Sequence, residues 1–132
     1  PPEALHPRQW LCHRDRFGLP AGEMAAASVL YLFPDDRFGG TSFYRPRAPA
    51  AAIDRLVHDS GTLDASTFSD RYGLQPGYID DGHPWFDRVA TIPPRFNRLI
   101  CYDGGLFHCS SVRHGDRLVP EPDSGRLTLN AF

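Results

Sequence analysis

Short apolar runs separated by glycine and proline dominate the chain. Several of them alternate with a period of two, the spacing of a strand with one buried face. The run "ASVLYLF" (27–33) is β-branched and aromatic; it is followed by the turn-like "PDDRFGG" (34–40) and the strand-like "TSFYR" (41–45). Together they predict a hairpin with a long loop. "FNRLICYD" (96–103) and "LFHCS" (106–110) flank Gly104-Gly105 and predict a second strand pair, and "WFDRVATI" (85–92) a further strand. "RLTLNAF" (126–132) alternates to the end, with Arg126, Thr128 and Asn130 on one face and Leu127, Leu129 and Ala131 on the other. Near the start, Gln9-Trp10-Leu11 reads as a short strand. The pattern changes within 48–83, where "APAAAIDRLVHDS" (48–60) has helical composition and "DASTFSDRYG" (64–73) predicts a second short helix ended by Gly73. The expected architecture is a single mainly β domain over 1–132. Its antiparallel strands form a sandwich or barrel, with a short helical insertion at 48–83.

Composition adds constraints to this picture. Thirteen prolines and 12 glycines punctuate the chain, as in a β-rich domain with many turns. A length of 132 residues suits one domain with a core of its own. The formal net charge of −2 argues against nucleic acid or a membrane surface as partner, since both select a basic excess. All 14 basic residues are arginine, so any cation that grips an anion here does so with a bidentate guanidinium. Cys12, Cys101 and Cys109 make no paired framework and predict reduced thiols in a cytoplasmic protein. No apolar run approaches membrane-spanning length, and no signal peptide opens the chain. The opening "PPEALHPRQW" has no initiator methionine, which predicts a trimmed start or earlier residues.

Candidate chemistry concentrates at "LCHRDRF" (11–17), where His13 and Asp15 stand two apart. A lone His-x-Asp says little; a third ligand gives it meaning. His108, in "DGGLFHCS", follows a glycine turn at a strand edge, and sheet pairing would have to bring it to the other two. Two imidazoles and one carboxylate hold Fe(II) on one face and leave three positions open for substrate and oxygen. A competing arrangement joins Cys12-His13 to His108-Cys109 as a zinc site. Adjacent residues on a strand point to opposite faces, so Cys12 and His13 do not readily share an ion. Cys12 and Cys109 then read as small packing residues. Arg126, taken alone, reads as a solvent-facing residue on a strand that buries its leucines.

In order, His-x-Asp, a strand ending "YLF", "GGTSFY", "RFNRLICYDGGLFH" and "GRLTLNAF" run from about residue 9 to the end. This series resembles the iron(II)/2-oxoglutarate-dependent dioxygenase superfamily. It is most similar to the prolyl-hydroxylase-like branch and to bacterial members of unassigned substrate. The resemblance implies a double-stranded β-helix, the jelly-roll or cupin-like fold. It implies that His13, Asp15 and His108 ligate iron and that 2-oxoglutarate is the cosubstrate. Arg126 would pair with its distal carboxylate, and Thr128 would add a hydroxyl donor in the family's Arg-x-Ser/Thr pattern. Tyr31 matches the tyrosine of the family's "YLN" segment, with Phe33 here in place of asparagine. The implied reaction consumes O2, releases succinate and CO2, and hydroxylates an unactivated C–H of a small molecule or a peptidyl side chain. Asp15 favours hydroxylation, because the family's halogenases carry a small residue at that position.

Other residues read more plainly. His114 would shorten the step to Arg126, but the polar "SVRHGDR" around it reads as a loop, whereas His108 follows the strand pattern. His6, His58 and His83 read as surface histidines, and Arg45, Arg47 and Arg113 as solvated arginines rather than contacts for an acidic substrate. The segment 48–95 is expected to cover the pocket mouth, as long irregular insertions often do. The rival to an enzyme is a non-catalytic jelly-roll that binds a ligand or partner, since fold alone does not separate the two.

Overall fold

The computed structural model describes residues 4–15, 19–20, 22–34, 36–112 and 118–132. Six antiparallel strands lie in two three-stranded sheets that do not join into a closed barrel among the described residues. In the first sheet β1 (Ala26–Tyr31) is central; in the second, β2 (Thr41–Pro46) lies between β3 (Phe86–Ile92) and a fourth segment further on. β4 (Leu99–Asp103) flanks β1 on one side, β5 (Phe107–Ser110) completes the second sheet, and β6 (Thr128–Ala131) flanks β1 on the other side. Three helices join them: α1 (Pro7–Trp10), α2 (Ala50–Thr62) and α3 (Ala65–Tyr72).

Strand alternation decides what each face buries. Ala27, Val29 and Tyr31 are the buried positions of β1, and the register sets Val29 beside Ile100 and Tyr31 beside Thr128. The second sheet turns Thr41, Phe43 and His108 toward them. The Tyr31 hydroxyl lies 2.7 Å from Thr41 Oγ1, and the Phe43 and Tyr102 rings meet edge to face at 5.1 Å. The reverse face of that sheet carries Tyr44, Phe107 and Cys109, which pack with Trp10, Ile53, Leu56 and Phe68 in the larger apolar cluster. Helices α2 and α3 therefore back the outer face of the second sheet, and the layer between the sheets is left for aromatic and polar groups.

The helical insertion forms where the pattern puts it. Asp64 caps α3 by accepting from the Thr67 amide at 2.9 Å, and Gly73 ends it with φ 65°, a left-handed turn that glycine adopts without strain. Asp59 ties the two helices together: its Oδ2 accepts from Arg71 at 2.8 Å and from Tyr72 at 2.7 Å.

Four local expectations are corrected. Gln9-Trp10-Leu11 is not a strand: Pro7 starts a helical turn, and the His6 amide donates to Gln9 Oε1 at 2.8 Å. The two "hairpins" are crossings between sheets. β1 and β2 belong to different sheets, as do β4 and β5, because each sheet covers the other's inner face. The first crossing ends at Gly39-Gly40. A Cβ there would lie 1.8 Å from the carbonyl oxygens of Ser111 and Ile92 respectively, so only glycine fits. Finally, the leucine face of the last strand is not buried. Leu127 and Leu129 are 41% and 62% exposed, while Arg126 sits just before β6 and is half-buried. The helices of the 48–95 segment likewise lie on the sheet face opposite His108, not over it.

Phe68 is fully buried under the helices and stacks edge to face on Trp10 at 5.7 Å. Replacing it (Phe68→Ala) is expected to cost about 3–5 kcal/mol of stability. A urea midpoint lowered at unchanged slope checks this.

Candidate metal centre

The segment 13–15 runs along the free edge of β5 and is held there by backbone hydrogen bonds. The His13 amide donates to the His108 carbonyl at 3.0 Å and the His108 amide to the His13 carbonyl at 2.9 Å. This makes His13 and His108 a directly opposed antiparallel pair whose side chains share one face. Their ring centroids are 4.6 Å apart. Asp15, two residues on, returns to that face, and its amide donates to the Gly104 carbonyl at 2.7 Å. Gly104 in turn donates to Ala25 O at 2.7 Å, so the glycine turn joins the edge segment to the first sheet. A Cβ at Gly104 would lie 3.2 Å from both Asp15 Cβ and Ala25 O.

The three side chains converge. His108 Nε2 lies 3.1 Å from Asp15 Oδ2, and His13 Nε2 lies 3.7 Å from Asp15 Oδ1. One ligand atom from each falls within 4.8 Å of the others. Donors bonded to one ion at about 2.0–2.2 Å stand roughly 3 Å apart, so the cluster needs only a small contraction to close on a cation.

Hydrogen bonding at His108 suits the cluster to a cation. Its Nδ1 lies 2.9 Å from the Leu106 carbonyl, which can only accept, so Nδ1 carries the hydrogen. In the neutral ring Nε2 then presents a lone pair, and it faces a carboxylate oxygen. That oxygen, Asp15 Oδ2, is buried and receives no hydrogen bond of acceptable geometry; the 3.1 Å approach of His108 is an ion-pair distance only. Two lone pairs this close in a buried place require a positive charge between them. A proton on His108 would answer one contact; a metal ion would answer all three ligands at once. The Leu106 carbonyl also fixes the ring's tautomer and aim, the usual outer support of a ligating imidazole.

Burial lowers the proton affinity of His13, and the neighbouring His108 lowers it further, with Asp15 opposing. His13 thus stays neutral, as a ligand must, below the pH at which an ordinary histidine charges. The site is walled by aromatics: Tyr102 packs on the His108 ring at 4.7 Å and Phe43 at 6.3 Å. Burial pushes the Tyr102 hydroxyl well up, with Asp15 and Tyr31 adding to the effect, so it remains a neutral phenol. On the solvent side a cleft of about 460 Å³ is lined by His6, Arg8, Gln9, His13, Arg14 and Asp15.

At the other end of the same inter-sheet layer stands Arg126. Its Nε donates to the carbonyls of Phe38 (3.2 Å) and Gly39 (3.4 Å), and Nη2 to that of Gly40 (3.1 Å). The guanidinium lies over the Phe33 ring, 5.6 Å from its centroid. Burial lowers its proton affinity, and no carboxylate among the described residues pairs with it. Tyr31 is fully buried beside Thr128 across the β1–β6 register. Arg126, Thr128 and Tyr31 therefore gather at one place, separate from the three metal-capable side chains.

Other candidates fall away from the site. Cys12 and Cys109 lie in the apolar cluster behind the sheet, so they do not join His13 and His108 as ligands. Arg45 and Arg47 are exposed and pair with Asp87. His6 and His58 are exposed, but His83 is buried: its ring packs near Phe86 and its Nδ1 accepts from the Trp85 amide at 3.3 Å. Arg113 and His114 lie outside the described residues. Sequence reasoning missed Tyr102, Phe43 and the carbonyls of 38–40. Tyr102 had a signal, since it alternates with Ile100 on the inner side of "LICYD"; backbone carbonyls leave none.

Fold and site together define a mainly β protein of two antiparallel sheets with a two-histidine, one-carboxylate cluster able to hold a metal ion. A family model described as a family of unknown function (DUF6445) matches residues 1–132, and the chain belongs to that family. No curated protein and no solved structure matches the chain. No helix among the described residues is long and apolar enough to cross a membrane.

Two outcomes test the cluster with Mn(II) as probe, read by its solution EPR signal. Gly104→Ala crowds Asp15 and is expected to weaken binding about tenfold, the usual scale for disturbing a ligand's support. Because the His13 value is lowered, its protons begin to compete only below the ordinary imidazole value, about 6.5. Affinity should hold steady down to that pH and fall below it.

Proposed function

We propose that this protein is an iron(II)- and 2-oxoglutarate-dependent oxygenase that hydroxylates a C–H bond of a small molecule or peptidyl side chain. In this reading the two sheets are the walls of a double-stranded β-helix, a jelly-roll, and the layer between them is the reaction chamber. One observation carries it: a three-ligand cluster at one end of the layer and, at the other, a half-buried arginine whose hydrogen bonds among the described residues go to neutral carbonyls. A half-buried cation with no carboxylate partner among the described residues favours an anionic ligand.

The spacing suits a short diacid. Arg126 holds the Gly40 carbonyl, and His108 pairs with Phe43, three residues further along β2. At about 3.4 Å per residue the two ends stand roughly 10 Å apart. A five-carbon chain spans about 5 Å along its bonds. Ligand bonds at one end and a guanidinium–carboxylate contact of about 2.8 Å at the other make up most of the remainder.

When bound, ferrous iron and 2-oxoglutarate would supply the oxidation, turning O2 and the cosubstrate into succinate, CO2 and a hydroxylated product. The protein's own groups bind and orient. Arg126 neutralises the distal carboxylate from its seat over Phe33, and Tyr31 and Thr128 offer hydroxyls beside it. Tyr31 already shares a hydrogen bond with Thr41, which leaves one further position on its oxygen. Tyr102 and Phe43 keep water from the His108 side. The cleft beside His13 gives a small molecule or an extended side chain access to the cluster.

Anaerobic addition of Fe(II) and then 2-oxoglutarate is expected to produce the visible charge-transfer band of the chelate. His108→Ala should abolish it. Arg126→Ala should remove a partner worth about 2 kcal/mol or more, which weakens 2-oxoglutarate binding at least about 30-fold. A folded wild-type protein that shows no band overturns this reading and leaves a non-catalytic jelly-roll that binds a ligand or partner.

A further inference from the structure

Behind the metal-capable pair stands a second pair that the proposed chemistry does not use. His13 and His108 exchange both backbone hydrogen bonds. One step along, Cys12 and Cys109 are therefore opposed across the same two strands, with side chains on the reverse face. Both thiols are free, 1% and 6% exposed, and both belong to the apolar cluster under the helices. In antiparallel pairing a position next to a hydrogen-bonded pair is a non-hydrogen-bonded pair, whose Cα atoms stand about 4.5 Å apart. Disulfides span Cα separations of about 4.4–6.8 Å, so the backbone there meets the requirement near its short limit.

We propose that Cys12 and Cys109 are a disulfide site, closed by exchange with a small disulfide such as glutathione disulfide, and that the bond clamps the segment 12–15 onto β5. One cysteine displaces a glutathione thiol and forms a mixed disulfide; the second then displaces the other glutathione. Two protein thiols and one glutathione disulfide become one protein disulfide and two glutathione thiols, the protons passing to the released sulfurs. Both thiols are buried under the apolar cluster, so a disulfide in solution reaches them slowly. Exchange proceeds when the edge segment opens, and few bonds resist that. Besides the His13–His108 pair, the Asp15 amide anchors this edge to the glycine turn, and the exposed Arg14 pairs with Asp54 at 3.0 Å. The consequence concerns the ligands directly, because His13 and Asp15 ride on the segment that the bond would hold. The inference is independent of which ion or reaction the site serves.

The test equilibrates the whole protein in glutathione buffers of graded ratio, then maps disulfides by peptide mass and measures amide hydrogen exchange. A Cys12–Cys109 cross-link is expected in the wild type and in Cys101→Ser, and in neither Cys12→Ser nor Cys109→Ser. The melting temperature of the oxidised protein should rise on the order of 5–10 °C, and exchange at the His13 and Asp15 amides should slow. If only the exposed Cys101 takes up glutathione while the other two stay thiols, the site is refuted. If the cross-link forms but exchange at His13 and Asp15 is unchanged, the clamp is refuted.

Discussion

Two reciprocal backbone hydrogen bonds between His13 and His108 are the constraint on which the site depends. They fix the register of an edge segment that has no other sheet partner among the described residues, and register in a β-ladder decides which face every side chain takes. With His13 opposite His108, the alternation sends both imidazoles and Asp15 into the space between the sheets. The same alternation sends Cys12 and Cys109 into the apolar cluster. A slip of the edge segment by one residue would turn Cys12 toward the space between the sheets and His13 into the core, while β2 keeps His108 and Cys109 where they are. The apolar cluster opposes that slip: Trp10, Leu11 and Cys12 are each at most 2% exposed, and burying a charged or hydrated histidine in their place would be costly. Hydrophobic burial on one face of the edge segment thus holds the polar chemistry on the other.

The polar layer between the sheets follows a similar logic. Sheets in a sandwich usually bury apolar side chains against each other. Here the larger apolar cluster lies outside the second sheet, under α2 and α3. The interior layer is lined by Tyr31, Phe43, Tyr102, Thr41, Thr128 and His108, groups with an apolar body and, in most cases, a polar tip. The helical insertion supplies the larger apolar core that this polar layer does not. Asp59 and Asp64, which pin and cap the two helices, support the site only through this core.

Much of the element pattern was legible in the sequence, because period-two runs and turn residues are local signals. The strands read at 27–33, 41–45, 85–92, 96–103 and 106–110, and both helices with the Gly73 stop, follow from such signals, though the fourth of these strands begins only at Leu99. The pairing was less legible. Each predicted hairpin joins strands that are neighbours in sequence, which is the commoner outcome, yet Gly39-Gly40 and Gly104-Gly105 carry the chain from one sheet to the other. The exception at the start, Gln9-Trp10-Leu11, shows propensity losing to a local cap: Pro7 and Gln9 turn the chain into one helical turn before it extends. The metal-capable trio was readable as residue types, and strand alternation correctly separated Cys12 from His13. The surroundings of Arg126 were not readable. Its partners are main-chain carbonyls at 38–40, and a carbonyl's direction depends on the crossing geometry that the sequence pattern misjudged.

That misjudged crossing connects the two ends of the interior. Gly39 and Gly40 are needed because the backbone passes within van der Waals reach of the Ser111 and Ile92 carbonyls, where a side chain has no room. The same close passage turns the Phe38, Gly39 and Gly40 carbonyls toward Arg126 and starts β2 at Thr41, the residue bonded to Tyr31. Two steps further along β2, Phe43 pairs with His108. One continuous stretch of chain, 38–43, therefore sets both the seat of the half-buried arginine and the position of a metal-capable histidine. The distance between them is the length of a short run of extended backbone, one of the least compressible units a protein has. Substitutions at Gly39 or Gly40 would therefore be felt at both ends together.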